Sequence, residues 1–230
     1  MTNPVIVALD LDDPKKALDL AQKVAPHVGG FKVGPRLTFR SDRQLLKQLS
    51  QLGTVFFDHK FFDIPSTTVA SVKAAAEMGA DWVTVHALNG PECLKELATL
   101  ETQIKKTNSK FKILAVTVLT SFKPESLPPI WKSQSMSQSV LDLATSVFEA
   151  GLTSLVCSSE EAEVLKNKFP KSFLVVPGIR PEGSDKNDQS RVATPAQALK
   201  AGASALVIGR PIVESSDPLA TVKKIQGSLP

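Results

Sequence analysis

Along the chain, short runs of β-branched and aliphatic residues alternate with longer stretches in which apolar residues recur at helical spacing. The short runs predict strands at Val5–Asp10, Gly30–Val33, Val55–Lys60, Trp82–His86, Ile113–Leu119, Ser154–Ser158, Phe173–Pro177 and Ala205–Gly209. The stretches between them predict helices at Pro14–Val24, Arg36–Gln51, Ser66–Met78, Pro91–Lys106, Gln138–Ala150, Glu160–Lys168 and Pro195–Ala201, with a last one after Asp217. The strand runs are almost continuously apolar, as parallel strands buried on both faces must be. Three helices run into the same punctuation before a strand, at Met78-Gly79-Ala80, Ala150-Gly151-Leu152 and Ala201-Gly202-Ala203. Glycine there supplies the left-handed cap that turns the chain back into a sheet.

Strands and helices alternating in this way over 230 residues leave no room for a second domain. The fold class expected is α/β, a single (β/α)8 TIM barrel over residues 1–230. An open doubly wound sheet would want a Gly-rich turn after its first strand. The turn here is Asp10-Leu11-Asp12-Asp13-Pro14, acidic and repellent to a phosphate. Two long loops, Ser121–Ser137 and Arg180–Thr194, have the length of lids or binding loops.

Composition narrows the function. The net charge of +4 comes from 27 Lys and Arg spread among 23 acids, without a dense basic run. Nucleic acid is therefore a poor partner, whereas a few cations around a small anion fit well. Cys93 and Cys157 lie in unrelated contexts, which excludes a disulfide framework and a Cys-based zinc site and suits a reducing compartment. The N-terminal run Val5–Leu9 is too short for a secretory signal and lacks a basic lead. No stretch approaches a membrane span, so a cytoplasmic protein without membrane contact is expected.

Polar residues in the predicted strands gather at one end. The first strand ends in Asp10, the second carries Lys32, and the third carries Asp58 and Lys60. The fourth ends in His86, the fifth in Thr117 and Thr120, the seventh in Pro177-Gly178-Ile179-Arg180 and the eighth in Gly209-Arg210. That is the end where barrels of this kind hold their active sites. Strand side chains alternate faces, so Asp58 and Lys60 point one way and His59 the other. Asp10, Lys32, Asp58 and Lys60 alternate in sign across neighbouring strands, which favours the ionised form of each. Asp63 lies just beyond the strand, within reach of these groups or of a neighbouring chain. Gly209-Arg210 and Arg180 suit a phosphate: guanidinium matches its oxygens, and glycine lets the backbone N–H approach. A single histidine ending a buried strand is more often structural than catalytic. His27 and His59 show no partner pattern, so no metal site is suggested.

The stretch Asp58-His59-Lys60-Phe61-Phe62-Asp63-Ile64-Pro65-Ser66-Thr67 resembles the signature D-x-K-x-x-D-I-P-x-T of orotidine 5'-monophosphate decarboxylases, with every specified position matched. The resemblance extends to Val5–Asp10, Phe31-Lys32-Val33-Gly34, Thr84-Val85-His86-Ala87, Val116–Ser121, Val176–Pro181, Asp188–Val192 and Val207–Ile212. It implies a cofactor-free enzyme that converts orotidine 5'-monophosphate (OMP) to UMP and carbon dioxide in pyrimidine biosynthesis. It also implies a homodimer with shared active sites. Asp10 and Lys32 would contact the ribose, and Asp58 and the partner's Asp63 would flank the departing carboxylate. Lys60 would protonate C6. Thr67 and Ile64, also across the dimer, would line the ribose side. Thr120 would contact the base, Pro177 would lie against it, and Gln189 would bridge base and phosphate. Gly209 and Arg210 would hold the phosphate, with Arg180 bordering a closing loop at Gly183–Asp188.

Two alternatives share the barrel. Magnesium-dependent sugar-phosphate lyases of the same superfamily resemble an Asp-x-Lys-x-x-Asp barrel but want an acidic ligand near the second strand end. This chain has Lys32-Val33-Gly34-Pro35 there. A non-catalytic nucleotide-phosphate sensor would keep Gly209 and Arg210 but has no need of Lys60 between carboxylates.

Overall fold

A computed structural model describes residues 3–122, 129, 135–181 and 192–230. Its strands are β1 (Val5–Ala8), β2 (Gly30–Val33), β3 (Thr54–Phe61), β4 (Trp82–His86), β5 (Lys112–Val116), β6 (Ser154–Val156), β7 (Phe173–Val176) and β8 (Ala205–Ile208). They pair in parallel in chain order, and β8 pairs back onto β1 to close the barrel. The predicted (β/α)8 architecture is the one observed.

The alternation of side chains along each strand divides the apolar residues into two bodies. Ile6, Ala8, Phe56, Trp82, Leu114, Val175, Ala205 and Val207 form a small cluster inside the barrel. Their neighbours in sequence, such as Val5, Val7, Phe31, Val55, Val83, Ile113 and Leu206, form a larger cluster against the surrounding helices. Continuous apolar strands are thus explained by burial on both faces.

The helices among the described residues are α1 (Pro14–Val24), α2 (Pro35–Thr38), α3 (Arg43–Ser50), α4 (Pro65–Glu77), α5 (Gly90–Ile104), α6 (Met136–Glu149), α7 (Ser159–Lys168), α8 (Pro195–Lys200), α9 (Arg210–Val213) and α10 (Pro218–Gly227). Gly79, Gly151 and Gly202 take φ of 99°, 99° and 101°, the left-handed conformation expected of those caps. One predicted helix is wrong. Arg36–Gln51 is two helices, because the Asp42 carboxylate accepts from the N–H of Gln44 and Leu45 and starts α3 afresh. The fifth strand also ends earlier than expected. Beyond Val116, Thr117 donates from its backbone N–H and its hydroxyl to the Val156 carbonyl, outside the regular ladder and away from the cleft lining. The helix α9 was too short to leave a periodic signal. No helix among the described residues is long and apolar enough to cross a membrane.

Candidate active site

A cleft of about 480 Å³ opens at the C-terminal ends of the strands. Its floor is the top of the inner apolar cluster, Ala8, Phe56 and Val207, with Val116 and Val156 beside them. Asp10, Lys32, Asp58 and Lys60 line one side, and Thr120, Pro177, Gly178, Arg180, Gly209 and Arg210 line the rest. Residues predicted from six strand ends therefore meet in one space.

The charged side is a continuous chain. The Lys32 ammonium donates to Asp10 Oδ1 at 2.9 Å and lies 3.4 Å from Asp58 Oδ2. The Lys60 ammonium donates to Asp58 Oδ1 at 2.9 Å. Burial pushes the Asp58 carboxyl up, but the Lys32 and Lys60 charges and the hydrogen bonds outweigh it, holding Asp58 below the usual carboxylate range. Burial likewise pushes Lys32 down, and Asp58 and Asp10 more than reverse it, leaving Lys32 above an ordinary lysine. Both groups are buried as ions because each has an opposite charge in contact.

The backbone of β3 is irregular where this chain ends. Phe57 pairs with Val83 and Phe61 with Val85, so Asp58, His59 and Lys60 stand opposite Thr84 alone. Lys60 sits at φ 51°, the one non-glycine residue with positive φ among those described. Such a conformation is strained for a residue with a Cβ and needs support from its surroundings. Its outward neighbours supply part of it. The His59 ring stacks on Phe57 with centroids 4.0 Å apart. Thr38 gives its hydroxyl proton to the Gly34 carbonyl at 3.1 Å, so His59 Nε2 is the donor in its 2.8 Å contact with Thr38 Oγ1.

Beyond β3 the chain turns sharply. Thr68 donates its hydroxyl proton to the Asp63 carbonyl, and Asn89 donates to the carbonyls of Phe61 and His86. The Asp63 carboxylate accepts from the N–H of Ile64 at 2.7 Å. Asp63, Ile64 and Thr67 are exposed and are not part of the cleft lining of their own chain. Asp63 does not join its own chain's charges, which run Asp10, Lys32, Asp58 and Lys60. His86 Nδ1 accepts from the Leu88 N–H and caps the turn Ala87–Asn89, which is the structural role expected of it. Burial first, and Lys60 second, hold that histidine below its ordinary value and so neutral.

At the opposite rim, Gly178 takes φ 75° and turns the chain out of β7. Arg180 is buried against the rim, its Nη1 donating to the Ile179 carbonyl at 2.9 Å. Arg210 opens the short helix α9 directly after β8. A short extra helix after the last strands is where barrels often bind phosphate. Gln189 and the predicted lid Gly183–Asp188 lie outside the described residues.

Arg36 and Thr84 had no role in the sequence reading. Arg36 lines the cleft and is held by Asp12, with its Nη2 donating to Oδ2 at 2.6 Å and its Nε to Oδ1 at 2.9 Å. The acidic turn after β1 is thus occupied: Arg36 and Arg40 take Asp12, and Asp13 caps α1. The signal for Thr84 was a hydroxyl in an apolar strand, in phase with inward-facing Trp82.

A parallel barrel whose strand ends carry an alternating charge chain on one side and two arginines on the other is an enzyme of the phosphate-binding barrel type. The family model for "Orotidine 5'-phosphate decarboxylase / HUMPS family" matches residues 3–225, and the chain belongs to that family. Among its relatives, the orotidine 5'-phosphate decarboxylase of Dictyoglomus thermophilum is 41% identical over 99% of this chain and 95% of its own. That of Shewanella sediminis is 42% identical over 98% of this chain and 97% of its own. The crystal structure of orotidine 5'-phosphate decarboxylase from Lactobacillus acidophilus superposes with a TM-score of 0.84 at 35% identity, covering 98% of each chain.

Proposed function

We infer that the chain decarboxylates OMP to UMP and carbon dioxide, with Lys60 as the proton donor. The observation that carries this reading is the Lys60 ammonium, 2.9 Å from Asp58 Oδ1 on the charged side of a cleft whose far rim bears Arg180 and Arg210. The phosphate would sit at Gly209, Arg210 and Arg180, and the ribose at Asp10 and Lys32. The base would lie against Pro177 with Thr120 beside it. That pose directs C6 and its carboxylate toward Lys60.

The reaction breaks the bond from C6 to the carboxylate carbon. The electron pair stays on C6 in an sp2 orbital that cannot delocalise into the ring carbonyls. A fixed ammonium beside C6 stabilises that charge as it develops, then transfers a proton to it, and solvent restores the proton on Lys60. Asp58 and Lys32 keep the ammonium from turning away. Contacts to the remote phosphate supply binding energy that aligns the reacting end.

The working unit in this reading is a homodimer. Phe62, Ile64 and Leu88 are exposed around the ends of β3 and β4, and Phe39 is 82% exposed beside His59. Apolar side chains gathered at one rim suit a subunit contact. Docking two copies there would carry Asp63, Ile64 and Thr67 into the partner's cleft, with Asp63 across from Asp58.

The test is the fall in ultraviolet absorbance of OMP on incubation with the protein, with UMP as product. Activity is expected to persist in EDTA. Intact OMP after prolonged incubation would overturn the reading. Activity abolished by EDTA and restored by magnesium would favour the metal-dependent relatives instead.

A further inference from the structure

We propose that Thr84 is a positioning residue for the catalytic lysine, acting through both the backbone of Lys60 and the carboxylate of Asp58. The proposal deepens the decarboxylase reading and rests on it for its kinetic consequence. The irregularity in β3 removes Lys60 from the regular ladder, so its backbone N–H has no carbonyl partner on β4. Thr84 Oγ1 takes that place, accepting the Lys60 N–H at 2.8 Å. The same hydroxyl donates its proton to Asp58 Oδ1 at 3.0 Å. Asp58 Oδ1 in turn accepts from Lys60 Nζ at 2.9 Å, which closes a ring of three hydrogen bonds.

One fully buried hydroxyl thus satisfies an N–H that would otherwise be orphaned and orients the carboxylate that aims the ammonium. A hydroxyl is suited to this because it accepts and donates at one atom. Valine has nearly the same shape and does neither. Thr84 lies one inward position above Trp82, in the layer just beneath the reacting groups. Without it, Lys60 loses a restraint on its left-handed backbone and Asp58 loses a hydrogen bond, while the groups expected to hold phosphate and ribose are untouched. The consequence is a lysine held less well at C6, and misplacement by about 1 Å can cost about a hundredfold in rate.

Thr84→Val, Thr84→Ala and Thr84→Ser are compared for kcat and KM on OMP, with UMP affinity measured separately. Val and Ala are expected to lower kcat by about a hundredfold with KM and UMP affinity little changed, and Ser to restore most of the rate. If Val proves too damaging to fold, the Ala–Ser comparison carries the same decision. A Val or Ala protein with near-native kcat overturns the proposal. So does a parallel loss of kcat and UMP affinity, which would mark a general structural defect. Native protein that leaves OMP intact would defeat the activity reading alone, and a crystal structure of the Val or Ala variant then decides about Thr84. Lys60 is expected to leave positive φ or to lose its contact with Asp58. Retention of both would contradict the role.

Discussion

The inside of the barrel holds two layers of opposite character. The lower layer is apolar: Phe56 and Trp82 meet at 5.8 Å between ring centroids, and Trp82 meets Phe173 at 5.2 Å. Two residues further along β3, and at the end of β1, the inward positions become Asp58 and Asp10, with Lys32 of β2 between them. Ala8 and Phe56 of the lower layer are each followed, at the next inward position, by an acid, so the change is carried by the side chains. The lower layer is held by exclusion of water and close packing. The upper layer is held by opposite charges that tolerate burial only in each other's company. The apolar floor also keeps water from beneath the charges and strengthens each contact above it. Stability and chemistry are thus stacked along one axis.

Substitutions should separate the layers. The largest effect is expected for Lys60→Ala, which removes the proposed proton donor and the charge that would face C6. Its turnover of OMP should fall by many powers of ten, while UMP still binds. A variant within tenfold of native turnover would contradict the mechanism. Trp82→Ala breaks the lower layer instead and should cost about 3–5 kcal/mol in a urea or thermal unfolding measurement. An unchanged midpoint would show that the floor is not a support.

Arg210→Ala tests the far rim. It should weaken binding of OMP by about 2–5 kcal/mol, the scale for truncating one partner of a charge pair. Activity on the unphosphorylated nucleoside should hardly change, because that substrate never makes the contact. Equal losses on both would place the role of Arg210 elsewhere.

The smallest effect is in the pH dependence of stability. The folded state holds Asp58 below its ordinary value, so its contribution is present above about pH 4 and lost as the pH falls through the lower folded value. Lys32 is held above its ordinary value, so its contribution is present below about pH 10 and lost as the pH rises beyond. Removing Lys60 takes away one of the charges that depress Asp58. The acid limb of urea-unfolding stability should therefore be shallower in Lys60→Ala, and an identical limb would speak against the coupling.

Much of this is legible in the sequence. Asp10, Lys32, Asp58 and Lys60 each interrupt an apolar strand at its C-terminal end, and the two-residue period sets them on the inner face. Features that depend on tertiary partners were not legible. Asp58-His59-Lys60 has the same alternation in a regular strand as in one that bulges against Thr84. The acidic turn after β1 appears repellent to phosphate until Arg36 and Arg40, more than twenty residues on, are seen to take up Asp12. The exposed placement of Asp63, Ile64 and Thr67 follows from the turn held by Thr68 and Asn89, a contact between segments.

In the proposed mechanism Lys60 works between two carboxylates, Asp58 of its own chain and Asp63 of a second one. Mixing two inactive homodimers, Lys60→Ala and Asp63→Ala, tests it most directly. After subunit exchange each hybrid would carry one doubly damaged site and one intact site. With random reassociation about half the dimers are hybrids, so roughly a quarter of all sites should regain native activity. Activity that stays at the level of the separate variants, with exchange demonstrated by mass, would contradict the account.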